Sequence, residues 1–215
     1  MNRHSLTDRP IEGTVSINSL AQKKPEKYRN ILAAAVRVFA RKGFYHARVS
    51  EIAREAGVAD GTIYLYFHNK DDILISLFEQ EMQKVIENVK AEIEKTDDPL
   101  EKIRLFAIAH LSLVENNKDM SEVIQVELRQ STKFMKEYHN EQFFEYLNLI
   151  STIVREGQEK GLIRADVEPG IVKRAFFGAL DEMSRFWVLS SKRKYSIKTA
   201  AEQISEFFIK GIASK

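Results

Sequence analysis

Apolar residues recur at intervals of three and four along most of the chain, the spacing of helices with one buried face. From Glu26 the positions Ile31, Ala34, Ala35, Val38 and Phe39 follow this period, and Gly43 supplies a stop. Short helices are predicted over about 49–56, ended by Gly57, and over about 60–67. Asn69 with Asp72 three residues on forms a capping arrangement. It opens a long helix over about 70–95, with Ile73, Leu74, Leu77, Phe78, Met82, Val85, Ile86 and Val89 on one face. Five more helices are predicted over about 99–116, 119–130, 136–160 (stopped by Gly161), 169–191 and 196–213. Pro25, Pro99 and Pro169 stand at helix starts, where a missing N–H costs nothing. No alternating strand pattern and no internal repeat appears, so the fold class is all-α. Residues 1–22 carry no sustained period and read as a flexible basic arm.

Composition narrows the class. A chain of 215 residues that is 44% hydrophobic can bury a substantial core. The absence of cysteine excludes disulfide scaffolds, thiolate zinc sites and cysteine nucleophiles, and suits a reducing cytoplasm. The longest apolar run, 31–36, falls far short of the ~18 residues of a membrane span, and no apolar leader follows Met1. A cytoplasmic protein without a membrane partner is expected. The net charge of +2 conceals a division: residues 1–70 sum to +6 and residues 71–215 to −4. That asymmetry suggests a polyanion partner for the first segment, although a solvated tail fits the composition equally well.

The stretch VSEIAREAGVADGTIYLYFHNKDDIL, residues 49–74, resolves the ambiguity. Two short helices joined by a tight turn at Gly57 make a helix-turn-helix, with Ile52, Ala53, Ala56, Val58 and Ile63 as its miniature core. Asp60, Thr62, Tyr64, Tyr66 and the flanking Lys70 remain for outward contact. Hydroxyls and a lysine suit phosphate oxygens and base edges.

The run AGVADGTIYLYFHNKDDIL, with FARKGF before it, resembles the DNA-binding signature of the TetR family of bacterial transcriptional repressors. The resemblance implies a three-helix helix-turn-helix DNA-binding domain over residues 23–70. It also implies a helical ligand-binding and dimerisation domain over 71–215. It implies a recognition helix from about Asp60 to Phe67 in the major groove of a palindromic double-stranded operator. Thr62 and Tyr64 would touch backbone or a thymine edge, Tyr66 base or backbone, and Lys70 a phosphate. Ser50 occupies a contact position often held by a basic residue, which weakens base reading there. Gly61 permits close backbone approach. Lys27 and Arg48 would clamp neighbouring phosphates or simply be solvated, and Lys23 and Lys24 in the arm would add salt-sensitive affinity.

A repressor of this type is a homodimer. Val172, Ala175, Phe176, Ala179 and Met183, with Ala200, Ile204, Phe207, Phe208 and Ile212, give the last two helices sticky sides for a four-helix interface, or else are monomer core. Ten of the thirteen phenylalanines lie beyond residue 70, enough to line an apolar cavity or to fill a core. The segments QVELRQS and FGALDE, with Trp187–Val188, are similar to the FadR repressors of fatty-acid degradation in Bacillus. That similarity implies a long-chain acyl-CoA effector that releases the DNA, with no cofactor required. Phe106, His110, Phe144 and Phe177 are the apolar-side candidates for ligand contact. Gln125, Glu127, Arg129, Asp181 and Arg185 either surround the polar mouth or tie helices together as Arg–carboxylate pairs. Other classes have less support. The five histidines are scattered, the GVADG run lacks a phosphate-loop lysine, and no metal set stands out, so no enzyme is expected. A regulator of efflux or of another operon, answering to a different apolar ligand, is the alternative within the class. An all-helical adaptor that binds only protein is the alternative outside it, and it leaves the basic segment unexplained.

Overall fold

The computed structural model describes residues 26–214, so Lys23, Lys24 and Pro25 lie outside the described residues. Nine α-helices occur among them and no extended sheet: α1 (Glu26–Lys42), α2 (Val49–Ala56), α3 (Asp60–Tyr64), α4 (Lys70–Ile93), α5 (Pro99–Asn116), α6 (Lys118–Glu122), α7 (Glu141–Glu159), α8 (Pro169–Leu189) and α9 (Ile197–Ile212). The first three helices form a small unit because each has one apolar side and a defined stop. α1 buries Ile31, Leu32, Ala35, Val38 and Phe39, α2 buries Ile52 and Ala53, and α3 buries Ile63. Gly57 ends α2 at φ 68°, a left-handed conformation that a side chain disfavours. The turn is closed by the Val58 N–H donating to the Ala53 carbonyl at 3.0 Å.

α4 starts where Asn69 accepts from the Asp72 N–H at 2.9 Å, and it continues out of the small unit into the rest of the chain. Its apolar stripe packs first on α1 and then on α5, so one continuous core spans both halves. α5 lies at the centre of the second half, in contact with α4, α7, α8 and α9. At the end remote from α2 and α3, the chain after α7 meets the end of α9: Arg164 donates to Ile212 and Ser214 to Leu162, each at 2.9 Å. Gly157 permits this closure, because a Cβ there would stand 2.4 Å from Cδ1 of Ile163.

Two expectations from spacing are corrected. The helix predicted over 119–130 ends at Glu122, and wide π turns over Val123–Glu127 and Lys133–Glu137 flank a 3-10 turn at Leu128–Gln130. The buried Glu127 accepts from Phe44 on the turn after α1, while Gln125 meets Arg129 four residues on. α7 begins at Glu141 rather than near 136, because Asn140 caps the Phe143 N–H at 2.9 Å. Of the residues read as interface or monomer core on α8 and α9, Val172, Phe176, Ala200 and Ile212 are buried within the single chain, and Ala175 and Phe207 are exposed. Ile171, Phe186 and Leu189 are exposed large apolar groups that spacing had not named.

Replacing Gly157 by Ala should destabilise the protein by about 1–3 kcal/mol through overpacking against Ile163. Urea denaturation reads this as a lower midpoint at unchanged slope, and trimming the obstruction with Ile163→Val should recover part of the loss.

Candidate functional site

Two places in this fold offer chemistry, the outward side of α2 and α3 and a cavity in the second half. In the first, α1 and α2 are tied by ion pairs: Arg37 to Glu55 at 2.8 Å, Arg41 to Glu55 at 3.3 Å, and Lys42 to Glu51. Hydrogen bonds from Arg37 and then Arg41 hold the Glu55 carboxyl below the usual carboxylate range, and Lys42 with the Arg48 N–H does the same for Glu51. Internal cations thus fix the frame and leave a separate set outward. Lys27, Arg48, Ser50, Asp60, Gly61 and Tyr64 are exposed. Thr62 is half-buried, and so is Tyr66, whose ring meets Tyr28 edge-on at 6.1 Å. A Cβ at Gly61 would touch nothing, so nothing in the monomer requires glycine there. Tyr45 at 69% and Leu65 at 79% exposure are large outward groups that spacing had not singled out. Leu65 follows a helix of only five residues, too short for periodicity to reveal its face.

Lys70 is a correction. Its ammonium donates to the carbonyl oxygens of Phe44, Tyr45 and Ala47, the last two at 3.1 Å, and sits 4.5 Å from the Phe44 ring centroid. An ammonium has three donors, and all three are engaged inside the protein. Burial lowers its pKa against the opposing influence of Asp71. Lys70 therefore staples the turn after α1 to the start of α4 and does not present a donor to a phosphate.

The cavity has a volume of about 480 Å³, within the range of small-molecule sites. Its apolar wall comes from Phe78, Met82 and Val85 of α4, Leu113 and Val114 of α5, and Phe134 and Phe143 further on. His110, Gln125, Arg129, Phe144, Phe177 and Asp181 all line it, so six of the eight predicted ligand residues are brought together. The other two are not. Phe106 is fully buried at 5.1 Å from the Tyr146 ring and 6.0 Å from Phe176, a core position behind the cavity wall. Arg185 is exposed and pairs with Glu182 at 2.7 Å, three residues earlier on its own helix. Arg129 grips Asp181 with both oxygens, at 2.9 and 2.7 Å, and also reaches the Gln125 side chain at 3.2 Å. The Arg–carboxylate reading is the one observed, and it forms part of the cavity wall. His110 Nδ1 lies 2.6 Å from the Tyr146 hydroxyl. Burial pushes the imidazole pKa down to about 4, opposed by the nearby charge of Asp181. Spacing also missed Asn140, Tyr138 and Ser184 in the wall, since polar residues carry no period of their own.

Residues 123–138 connect the two places. They line the cavity through Ile124, Leu128, Phe134 and Tyr138, and on their other side they hold the first unit. Glu127, expected near the mouth, instead accepts from the buried Phe44 N–H at 2.5 Å and from Gln130 at 3.0 Å. Ser131 donates to Asp71 at 2.6 Å, Lys133 pairs with Asp72 at 2.5 Å, and Tyr138 donates to Glu79 at 2.5 Å. Burial works to raise the Asp72 pKa, but Lys133 and the His68 N–H keep it below its ordinary value.

Comparison with known proteins matches residues 31–77 to the family of bacterial regulatory proteins of the tetR type, and residues 78–211 to the C-terminal region of YsiA-like proteins. The chain is 39% identical over 196 residues to the fatty acid metabolism regulator protein of Bacillus subtilis, covering 91% of this chain and all of that one. Its fold is similar to the fatty acid degradation regulator FadR of Bacillus halodurans, at TM-score 0.81 and 36% identity over 88% of this chain and 98% of the other. It is also similar to FadR of Bacillus subtilis solved with stearoyl-CoA, at TM-score 0.79 and 38% identity over 86% and 99%. Among the described residues no helix is long and apolar enough to cross a membrane.

Two substitutions separate frame from contact. Lys70→Ala should lower stability by about 2 kcal/mol, since it strips three carbonyls of a charged donor. Tyr64→Ala, at a 57% exposed position, should leave the melting temperature within about a degree while weakening binding to duplex DNA, read by fluorescence anisotropy. His110 gives a pH signature. Its pKa falls from 6.5 to about 4 on folding, so between those values the unfolded chain binds more protons and stability drops as pH falls. The loss of melting temperature between pH 7 and pH 5 should therefore be smaller in His110→Gln than in the parent, measured by calorimetry.

Proposed function

This chain belongs to the TetR family of bacterial regulatory proteins, and from that premise we propose that it is a ligand-responsive repressor of fatty-acid degradation genes. In this reading it grips a palindromic operator as a cytoplasmic homodimer and is released by long-chain acyl-CoA. Residues 23–70 act as the reading head and 71–215 as the sensor. Membership in a family of DNA-binding regulators makes it a binding protein and not an enzyme. The observation that carries the proposal is the double duty of residues 123–138, which wall the apolar cavity and bond to the first turn of α4 and the turn after α1. Whatever fills the cavity must move or brace that segment, and the segment holds the head. The stearoyl-CoA complex of the Bacillus subtilis relative supports an acyl thioester as the occupant.

The head reads DNA through groups left outward by its own packing. Tyr64 and Thr62 on α3, with Ser50 and Arg48 at the start of α2, meet backbone and base edges, and Asp60 and Gly61 enter first. Lys27 adds a phosphate contact, while Tyr66 is partly held back by Tyr28. Two heads reach successive major grooves only if the dimer spaces them by about one turn of DNA, ~34 Å. The exposed apolar side of α8 and α9, with Ile171, Phe186, Leu189 and Phe207, is the surface that sets this spacing. Switching the dimer fully off takes a differential affinity of ~5.5 kcal/mol for the released state. Burial of a sixteen-carbon acyl chain at ~0.8 kcal/mol per methylene supplies roughly twice that amount, so only a part has to distinguish the two states.

The test uses an operator selected from random duplexes by the purified protein. Palmitoyl-CoA at low micromolar concentration should release the DNA, and acetyl-CoA should not. Equal release by both thioesters, or by neither, would reject a long-chain acyl-CoA sensor. Glu127→Ala should retain palmitoyl-CoA binding, lose about 1–3 kcal/mol of stability by stranding the Phe44 N–H, and release DNA less completely at saturating ligand.

A further inference from the structure

The cavity wall is largely apolar, through Phe78, Met82 and Val85 of α4 and Phe143 and Phe144 of α7, but polar groups also line it, and one set of them forms a bonded cluster. Arg129, Asp181 and Gln125 bond to one another there, and the Asp181 charge acts on the His110 ring. Ser184, one helical turn beyond Asp181 on the same side of α8, lines the cavity with a hydroxyl that has no hydrogen-bond partner among the described residues. A hydrocarbon chain makes no use of such a cluster. Buried polar groups without partners call for a polar atom on whatever occupies the space.

The tautomer of His110 follows from its neighbour. The Tyr146 hydroxyl is fully buried and its hydrogen bond is to His110 Nδ1. If Nδ1 carried the proton, the Tyr146 hydrogen would be stranded in the core. With Tyr146 donating, both groups are satisfied, and the imidazole proton resides on Nε2. Among the described residues the one hydrogen bond of the imidazole is at Nδ1, which leaves the Nε2 hydrogen without a partner there, and the ring, stacked on Phe106 and Tyr146 and edge-on to Phe177, belongs to the cavity wall.

We propose that His110, oriented by Tyr146, donates its Nε2 hydrogen to the carbonyl oxygen of the bound acyl thioester, and thereby selects a neutral carbonyl over both a plain alkyl chain and a free carboxylate. This rests on the acyl-CoA reading above and assigns it a recognition atom. The selectivity is electrostatic. His110 is uncharged, and Arg129 is already matched by Asp181, so this cluster is neutral as a whole. A thioester oxygen is accepted without stranding charge. A carboxylate would enter beside Asp181 with no unmatched cation to balance it.

The experiment compares palmitoyl-CoA with S-hexadecyl-CoA, the thioether that keeps the chain and the nucleotide but lacks the carbonyl, and with palmitate. Dissociation constants are measured by calorimetry on the full chain. The wild type should prefer the thioester over the thioether by about tenfold, one net hydrogen bond, and should bind palmitate more weakly still. His110→Phe should bring the thioester down to the thioether's affinity while leaving the thioether within about twofold, which also shows that the cavity is intact. Tyr146→Phe, which removes the orienting hydroxyl, should narrow the preference without abolishing it. Equal wild-type affinity for thioester and thioether, parallel loss of both in His110→Phe, or palmitate binding as tightly as palmitoyl-CoA would each overturn the assignment. Failure of both CoA compounds to bind would overturn it too, and by rejecting the acyl-CoA reading itself.

Discussion

The first turn of α4 is pulled in two directions, and the rest of the molecule is arranged around that tension. Lys70 reaches back to three carbonyl oxygens at the turn after α1, while Asp71 and Asp72 reach across to Ser131 and Lys133. Three consecutive side chains on a helix point in well-separated directions, about 100° apart, so one turn can hold two bodies. Two of the bonds to Lys70 are half-buried and one is exposed, and those to Asp71 and Asp72 are half-buried as well. Residues 123–138 therefore touch α4 through Asp71 and Asp72, and the head touches it through Lys70.

The departure from regular helix in residues 123–138 fits this position. The π and 3-10 turns rotate successive side chains, so that Glu127 faces Phe44, Leu128 and Phe134 face the cavity, and Ser131 faces α4. Such turns give up helical hydrogen-bond geometry for reach, and they recur where a segment must serve more than one surface. The cost is offset by burial: Leu128 and Val123 are nearly inaccessible and belong to the continuous core.

The cavity illustrates a related division. Its apolar walls are interchangeable in kind, since any set of large aliphatic and aromatic groups would exclude water. Its polar cluster is particular. The Arg129–Asp181 pair joins the irregular segment to α8, and the His110–Tyr146 pair joins α5 to α7, so both polar contacts span elements distant in sequence. Removing His110 would strand the buried Tyr146 hydroxyl, whereas the Arg129–Asp181 pair is partly exposed and water can replace a lost partner.

Much of this was legible in the sequence. Period, caps and glycine stops located eight of the nine helices among the described residues to within a few residues or a turn, and the family resemblance carried by Gly57, Thr62, Tyr64 and Phe67 implied a DNA-reading head. These features are local: they depend on bonds and contacts within a few residues, which spacing records directly. Other questions were decided only by the tertiary structure. Whether Val172 or Ile171 faces outward depends on which side of α8 meets its own core, and an amphipathic pattern with apolar groups on both sides does not say. Lys70 read as a phosphate contact until the folded chain brought three carbonyls to it from more than twenty residues away. The same holds for Glu127, and for Arg129 with Asp181, because a polar side chain takes its role from the partner that folding delivers and not from its own place in a repeat.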